Sequence, residues 1–157
     1  TPFTANGLLY ITNGHGGKTP VYAIRPDAAK GDITGTSHIV WSAEQGGAYL
    51  STPVVYQGNI YLVNFNGIIR CFNAATGQKH DEQRLGGNTL AVAASLVAGD
   101  GKVYVPTQDG DMLVLAAGNE FKVLAKNAMG AGLMASPAIA NETLYIRTAT
   151  QMVAVAG

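Results

Sequence analysis

The sequence predicts an all-β fold in which one sheet-forming unit is used about four times, and three observations predict it. Tyrosine recurs in short apolar runs at Tyr10, Tyr61, Tyr104 and Tyr145, with spacings of 51, 43 and 41 residues. Eight residues before each lies Pro2, Pro53, Leu96 or Pro137, preceded in the last three units by Thr52, Ser95 and Ser136. Between these two marks stand the turn segments Ala5-Asn6-Gly7, Tyr56-Gln57-Gly58-Asn59, Gly99-Asp100-Gly101-Lys102 and Ala140-Asn141-Glu142.

The elements of each unit follow in order. A short strand A begins after the proline position, and strand B carries the tyrosine, as in Ile60-Tyr61-Leu62-Val63. A further turn, such as Asn64-Phe65-Asn66-Gly67 or Gln108-Asp109-Gly110-Asp111, leads to strand C. That strand is apolar in every unit: residues 21–24, 68–72, 112–115 and 152–155. Aspartate and glycine in the 108–111 turn suit a hairpin better than a calcium loop, because the twelve-residue ligand series is missing. A more polar strand D closes three of the units, over residues 37–42, 79–85 and 120–126. Strands B and C are apolar on both alternating faces, so both faces are expected to be buried. Sheets sandwiched between like sheets meet that requirement, and periods near 40 residues suit propeller blades. A short helix competes only over residues 86–99.

The expected fold is therefore an all-β propeller arc of about four blades, at residues of about 1–51, 52–94, 95–135 and 136–157. Three are four-stranded and the last lacks strand D.

The run Tyr61-Leu62-Val63, Asn66-Gly67 and Cys71-Phe72-Asn73-Ala74-Ala75-Thr76-Gly77-Gln78 resembles the pyrroloquinoline-quinone-like repeat. That repeat reads Tyr-Val, Asp-Gly, then Leu-Tyr-Ala-Leu-Asp-Ala-Ala-Thr-Gly-Lys, and usually ends in a strand with tryptophan. Trp41 stands at the tryptophan position of the first unit, while the second and third units carry residues 81–83 and Val123-Leu124 there. The resemblance implies rings of about seven or eight blades. It also implies export in bacteria, to the periplasm or cell surface, and a terminal blade completed by another strand. The chain is then half a ring whose two end faces call for another propeller half, either the rest of a longer protein or a second copy. The beginning, Thr1-Pro2-Phe3-Thr4, does not read as a signal peptide, which leaves either a cytosolic protein or a mature or truncated piece of an exported one.

Composition narrows the partners. Apolar residues make up 47% and charged residues 13%, with ten basic and ten acidic side chains. No basic excess exists to neutralise a phosphate backbone, so nucleic acid is not expected. No apolar stretch approaches the roughly 20 residues of a membrane helix, so no membrane span is expected. Cys71 is the single cysteine and reads as a small strand residue.

No catalytic residues, metal ligands or cofactor are expected. Quinone catalysis, by the same resemblance, calls for an adjacent cysteine pair and a tryptophan floor. His15 is either a ligand or proton carrier in the glycine-rich loop 14–20, or a turn-capping histidine; His38 and His80 read as solvated. Family topology puts the B–C and D–A loops at one mouth of the channel. His15, Lys18, Tyr49, Asn64, Asn66, Gln108, Asp109 and Met134 would line it, together with Leu133. Aromatic, amide and apolar groups in that mixture suit protein or peptide contact, although each also fits a plain turn or packing role. The function these readings imply is a non-catalytic interaction scaffold; the alternative is part of a cofactor- or substrate-binding propeller enzyme whose reacting residues lie on other blades.

Overall fold

The computed structural model describes residues 1–87 and 90–157, and its regular elements are strands. Blade 1 contains β1 (Phe3–Ala5), β2 (Leu8–Thr12), β3 (Val21–Ile24) and β4 (Ile39–Ala43). Blade 2 contains β5 (Val54–Tyr56), β6 (Asn59–Val63), β7 (Ile68–Asn73) and β8 (Lys79–Arg84). Blade 3 contains β9 (Val97–Gly99), β10 (Lys102–Pro106), β11 (Asp111–Ala116) and β12 (Val123–Ala128). Blade 4 contains β13 (Ala138–Ala140), β14 (Thr143–Arg147) and β15 (Met152–Ala156). Each blade is an antiparallel meander paired in chain order, so the architecture is a partial β-propeller arc. No helix occurs among the described residues, including 86, 87 and 90–99; Asn88 and Thr89 lie outside them.

The same local devices recur in every blade. The A–B hairpins turn through two left-handed residues: Asn6-Gly7, Gln57-Gly58, Asp100-Gly101 and Asn141-Glu142. Such turns match the twist of the strands they join. In the three four-stranded blades a register shift interrupts the C–D pairing at Ala23/Ile24, Cys71/Phe72 and Val114/Leu115. Near the axis, the Ser/Thr before each proline position links neighbouring blades. Thr52 N donates to Ser95 Oγ at 2.9 Å and Ser95 N donates to Ser136 Oγ at 3.1 Å.

Alternation sorts each sheet into two packing faces. Tyr10, Val21, Ala23 and Trp41 of blade 1 meet Ile60, Leu62, Phe72 and Ala74 of blade 2. Tyr61, Val63, Ile69 and Cys71 on the other side of blade 2 meet Val103, Val105, Leu113 and Leu115 of blade 3. Met112 and Tyr104 of blade 3 meet Ile146, Leu144 and Val153 of blade 4, a smaller cluster. The third polar strand starts at Val123, later than residue 120, because Phe121 turns inward and is buried.

Candidate functional site

The loops at one end of the arc are tied into a continuous rim. Gly47 N donates to Thr19 O (2.8 Å), Ser51 Oγ to Val63 O (2.8 Å) and Val92 N to Phe65 O (2.9 Å). Gln108 N donates to Ala91 O (2.9 Å), Leu133 N to Thr107 O (3.1 Å) and Ala149 N to Gly132 O (3.1 Å). B–C hairpins and D–A connections thus alternate along one end of the arc and hold each other's backbone in place.

The residues singled out from the sequence take different places on this rim. His15 and Tyr49 come together: their rings stack at 5.3 Å with an interplanar angle of 26°. Gly14 permits the approach, since a Cβ there would lie 2.6 Å from Tyr49 Cα. Asn13 Oδ1 accepts the His15 backbone N–H at 3.0 Å. Lys18 stands 4.0 Å from Glu44, both well exposed. Asn64 is committed to its own hairpin, its Oδ1 accepting from Ile68 N at 2.9 Å. Asn66 is exposed and its carbonyl accepts from Arg84 Nη1 at 2.9 Å. Gln108 is half-buried and Asp109 exposed. Met134 is 63% exposed, whereas Leu133, expected beside it at the mouth, is fully buried and belongs to the blade 3–blade 4 core.

Two rim residues escaped the sequence reading. Leu50 and Phe65 are exposed large apolar side chains, as is Tyr49. Phe65 occupies a turn position that hydrophobic periodicity does not weigh, and Leu50 lies in the connection that precedes Pro53. Tyr49, Leu50, Phe65 and Met134 are exposed large apolar side chains carried on these loops. Among the described residues no group of three or more His, Cys, Asp or Glu side chains is arranged to hold a metal.

Polar chemistry is concentrated at the blade junctions. Tyr10 Oη donates to Ala74 O at 3.0 Å, and Trp41 Nε1 donates to the same carbonyl at 2.8 Å. Burial pushes the Tyr10 phenol above its ordinary range. Asp81 fills the place of Trp41 in blade 2, since Trp41 pairs with Ala23 and Asp81 with the equivalent Cys71. Its Oδ2 accepts from Phe121 N at 2.8 Å, which leads the effects that hold the carboxyl below its usual range. Burial first, and the nearby Asp81 charge second, push the Cys71 thiol up to about 12, leaving it protonated at neutral pH.

Comparison with known proteins follows the same lines. The family model described as outer membrane protein assembly factor BamB matches residues 1–156. No curated protein sequence matches. The crystal structure of BamB from Moraxella catarrhalis superposes with a TM-score of 0.69 at 17% identity, covering 98% of this chain and 41% of that one. A quinohemoprotein alcohol dehydrogenase from Pseudomonas putida HK5 gives 0.66 at 18% identity, covering 93% and 27%. The computationally designed Ika4 protein gives 0.72 at 12% identity, covering 99% and 88%. The chain thus spans about two fifths of the BamB structure's length, and at these identities the likenesses show the fold. On the match across residues 1–156, the chain belongs to the BamB-type family of β-propellers with pyrroloquinoline-quinone-like repeats.

Proposed function

We propose that this chain is part of a non-catalytic propeller scaffold that engages a protein or peptide partner at its loop-lined mouth, in an exported, periplasmic or surface setting. The observation that carries the reading is the exposed set Tyr49, Leu50, Phe65 and Met134 on hydrogen-bonded loops. Aromatic and methionine side chains are enriched in interface cores, and fixed backbone lowers the ordering cost of binding. The family description, an outer membrane protein assembly factor, favours a partner that is itself a protein under assembly.

The ring is completed by another propeller half, from the rest of a longer protein or from a second copy. Support comes from the two end faces. Leu9, Ile11, Tyr22 and Ile24 lie opposite the face of blade 1 that packs on blade 2, and Tyr145 and Met152 are exposed on the last blade. The solution mass of the chain separates the two sources.

Likeness to a quinohemoprotein dehydrogenase favours a second reading, a propeller enzyme with its reacting residues on other blades. The residues present do not fit a quinone. Cys71 is a lone buried thiol, and Trp41 is engaged at a blade junction by its hydrogen bond to Ala74 O.

The test is photo-crosslinking from an unnatural residue placed at 49, 65 or 134, with positions 79 and 126 on outer strands as controls. Adducts with protein confined to the mouth positions are expected. Equal labelling at the controls would contradict the reading.

A further inference from the structure

The loops around the end of β8 hold a cation that no carboxylate of the described residues answers. Leu85 N donates to Gly67 O at 2.8 Å, which brings the end of β8 against the β6–β7 hairpin. From there Arg84 Nη1 donates to Asn66 O at 2.9 Å, and both residues are exposed. The guanidinium is thereby fixed at the residue that follows Phe65, whose ring is also exposed. The hairpin is held in turn by Val92 N, which donates to Phe65 O at 2.9 Å. It packs so closely on Leu90 that a Cβ at Gly67 would lie 2.5 Å from Leu90 Cδ2. On the side of blade 1, Ser51 Oγ donates to Val63 O at 2.8 Å, so the connection that carries Tyr49 and Leu50 lies against the same hairpin.

Acidic residues stand nearby, but each is engaged elsewhere. Glu82, two residues away on the same strand, accepts from Arg70 Nε at 2.9 Å and from Lys79 Nζ at 3.4 Å. Asp81 accepts from Phe121 N and from Gln83 Nε2. At the next B–C hairpin Asp111 stands 2.8 Å from Lys126. Its hydrogen bond and charge, with a further share from Asp109, raise the Lys126 amine above its ordinary range. Glu44 lies 4.0 Å from Lys18. None of the ion pairs among the described residues includes Arg84. Unpaired cations are ordinary at a surface. Arg84 differs in being anchored by a backbone carbonyl while its Nε–Nη2 edge makes no hydrogen bond to the described residues. Arg70 shows what that edge accepts: it meets Glu82 through Nε at 2.9 Å and through Nη2 at 3.4 Å.

We infer that this rim takes a segment of a partner protein in which an acidic side chain neighbours a large apolar one. The carboxylate meets the Nε–Nη2 edge of Arg84 as Glu82 meets Arg70, and the apolar side chain packs on Phe65 and Leu50. The inference rests on the reading of these loops as a protein-binding end, and adds the charge of the partner. An arginine already held in place loses little freedom when a carboxylate arrives, and its planar fork makes the contact directional. Aromatic side chains and arginine are enriched together among interface anchors. A basic segment would instead bring a like charge to a guanidinium with no carboxylate of its own.

The probe is a short fluorescent peptide alternating glutamate with leucine, titrated against the whole chain by anisotropy in low salt. Saturable binding is expected, about tenfold or more tighter than for the same peptide with glutamine in place of glutamate. Arg84→Gln should bring the two affinities within about twofold of each other, and should leave the thermal midpoint in place because the side chain is exposed. Arg84→Lys keeps the charge without the fork and should retain only part of the preference. Lys30→Gln, which removes an equal charge from the exposed C–D connection of blade 1, should leave both affinities unchanged. Phe65→Ser should weaken both peptides alike, and added salt should erode the preference. No saturation, equal binding of the two peptides, or equal effects of Arg84→Gln and Lys30→Gln would overturn the inference. Photo-crosslinks confined to positions 49, 65 and 134 alongside a charge-blind peptide would keep the mouth reading and strike the acidic partner alone.

Discussion

The junction between blades 2 and 3 and the junction between blades 3 and 4 are built from the same repeat, yet only one is sealed. In the first, Tyr61 is fully buried and its hydroxyl both donates to Gly118 O and accepts from Gly118 N, at 3.1 and 2.9 Å. Asp81 receives Phe121 N, and Gln83 Nε2 donates to Phe121 O at 3.2 Å. In the second, Tyr104 has the same position on its strand but faces a cavity. The lesson is that the repeat fixes the sheet, while closure of a junction depends on the C–D turn that follows it.

Substitutions that touch one junction at a time break or sharpen this contrast. Trp41→Ala should be the most damaging. The indole is buried, stacks on Phe72 at 6.2 Å and seals the first junction, so a loss of about 3–5 kcal/mol is expected in denaturant unfolding. Tyr61→Phe and Tyr104→Phe form the sharper pair. The first removes the partner of a half-buried carbonyl and backbone amide and should cost about 1–2 kcal/mol, while the second should fall within about 0.5 kcal/mol of the parent.

Next in size is Glu142→Gly. Glu142 sits at φ 60°, where the other three blades place Gly7, Gly58 and Gly101. Relieving a left-handed side-chain residue should stabilise the chain by about 1 kcal/mol, read as a higher midpoint in thermal unfolding. The smallest effect concerns pH. Asp81 has a folded value below the ordinary carboxyl range, so its contribution is fully present above about pH 3.9. That contribution is lost as pH falls through the folded value, because the unfolded chain binds the proton first. Asp81→Asn should flatten this acid-side slope without changing the slope near neutrality.

Much of this architecture is legible in the sequence, because tyrosines, glycine-bearing turns and apolar runs are local signals repeated four times. The Thr76-Gly77 turn and Trp41 could both be placed from the repeat pattern. That the two meet across a junction depends on how one blade lies against the next. Asp81 and Gln83 read as ordinary outer-strand polar residues, and nothing in their neighbours marks them as the clamp on Phe121. Phe121 stands between Glu120 and Lys122, so its burial contradicts its surroundings in sequence. At the mouth, His15 and Tyr49 could be named from loop position, but their stacking rests on Gly14, a close approach between residues far apart in the chain. Leu50, Phe65 and Leu133 were misplaced or overlooked because exposure at a loop tip is set by neighbouring loops.

Hydrogen exchange resolved by strand tests the contrast between sealed and open junctions most directly, on the whole chain without added peptide. Amides in β6, β7, β10 and β11 should share the slowest exchange, and those in β14 and β15 should exchange at least a hundredfold faster through local opening. Equal protection of all four sheets would contradict the claim that the last junction stands open.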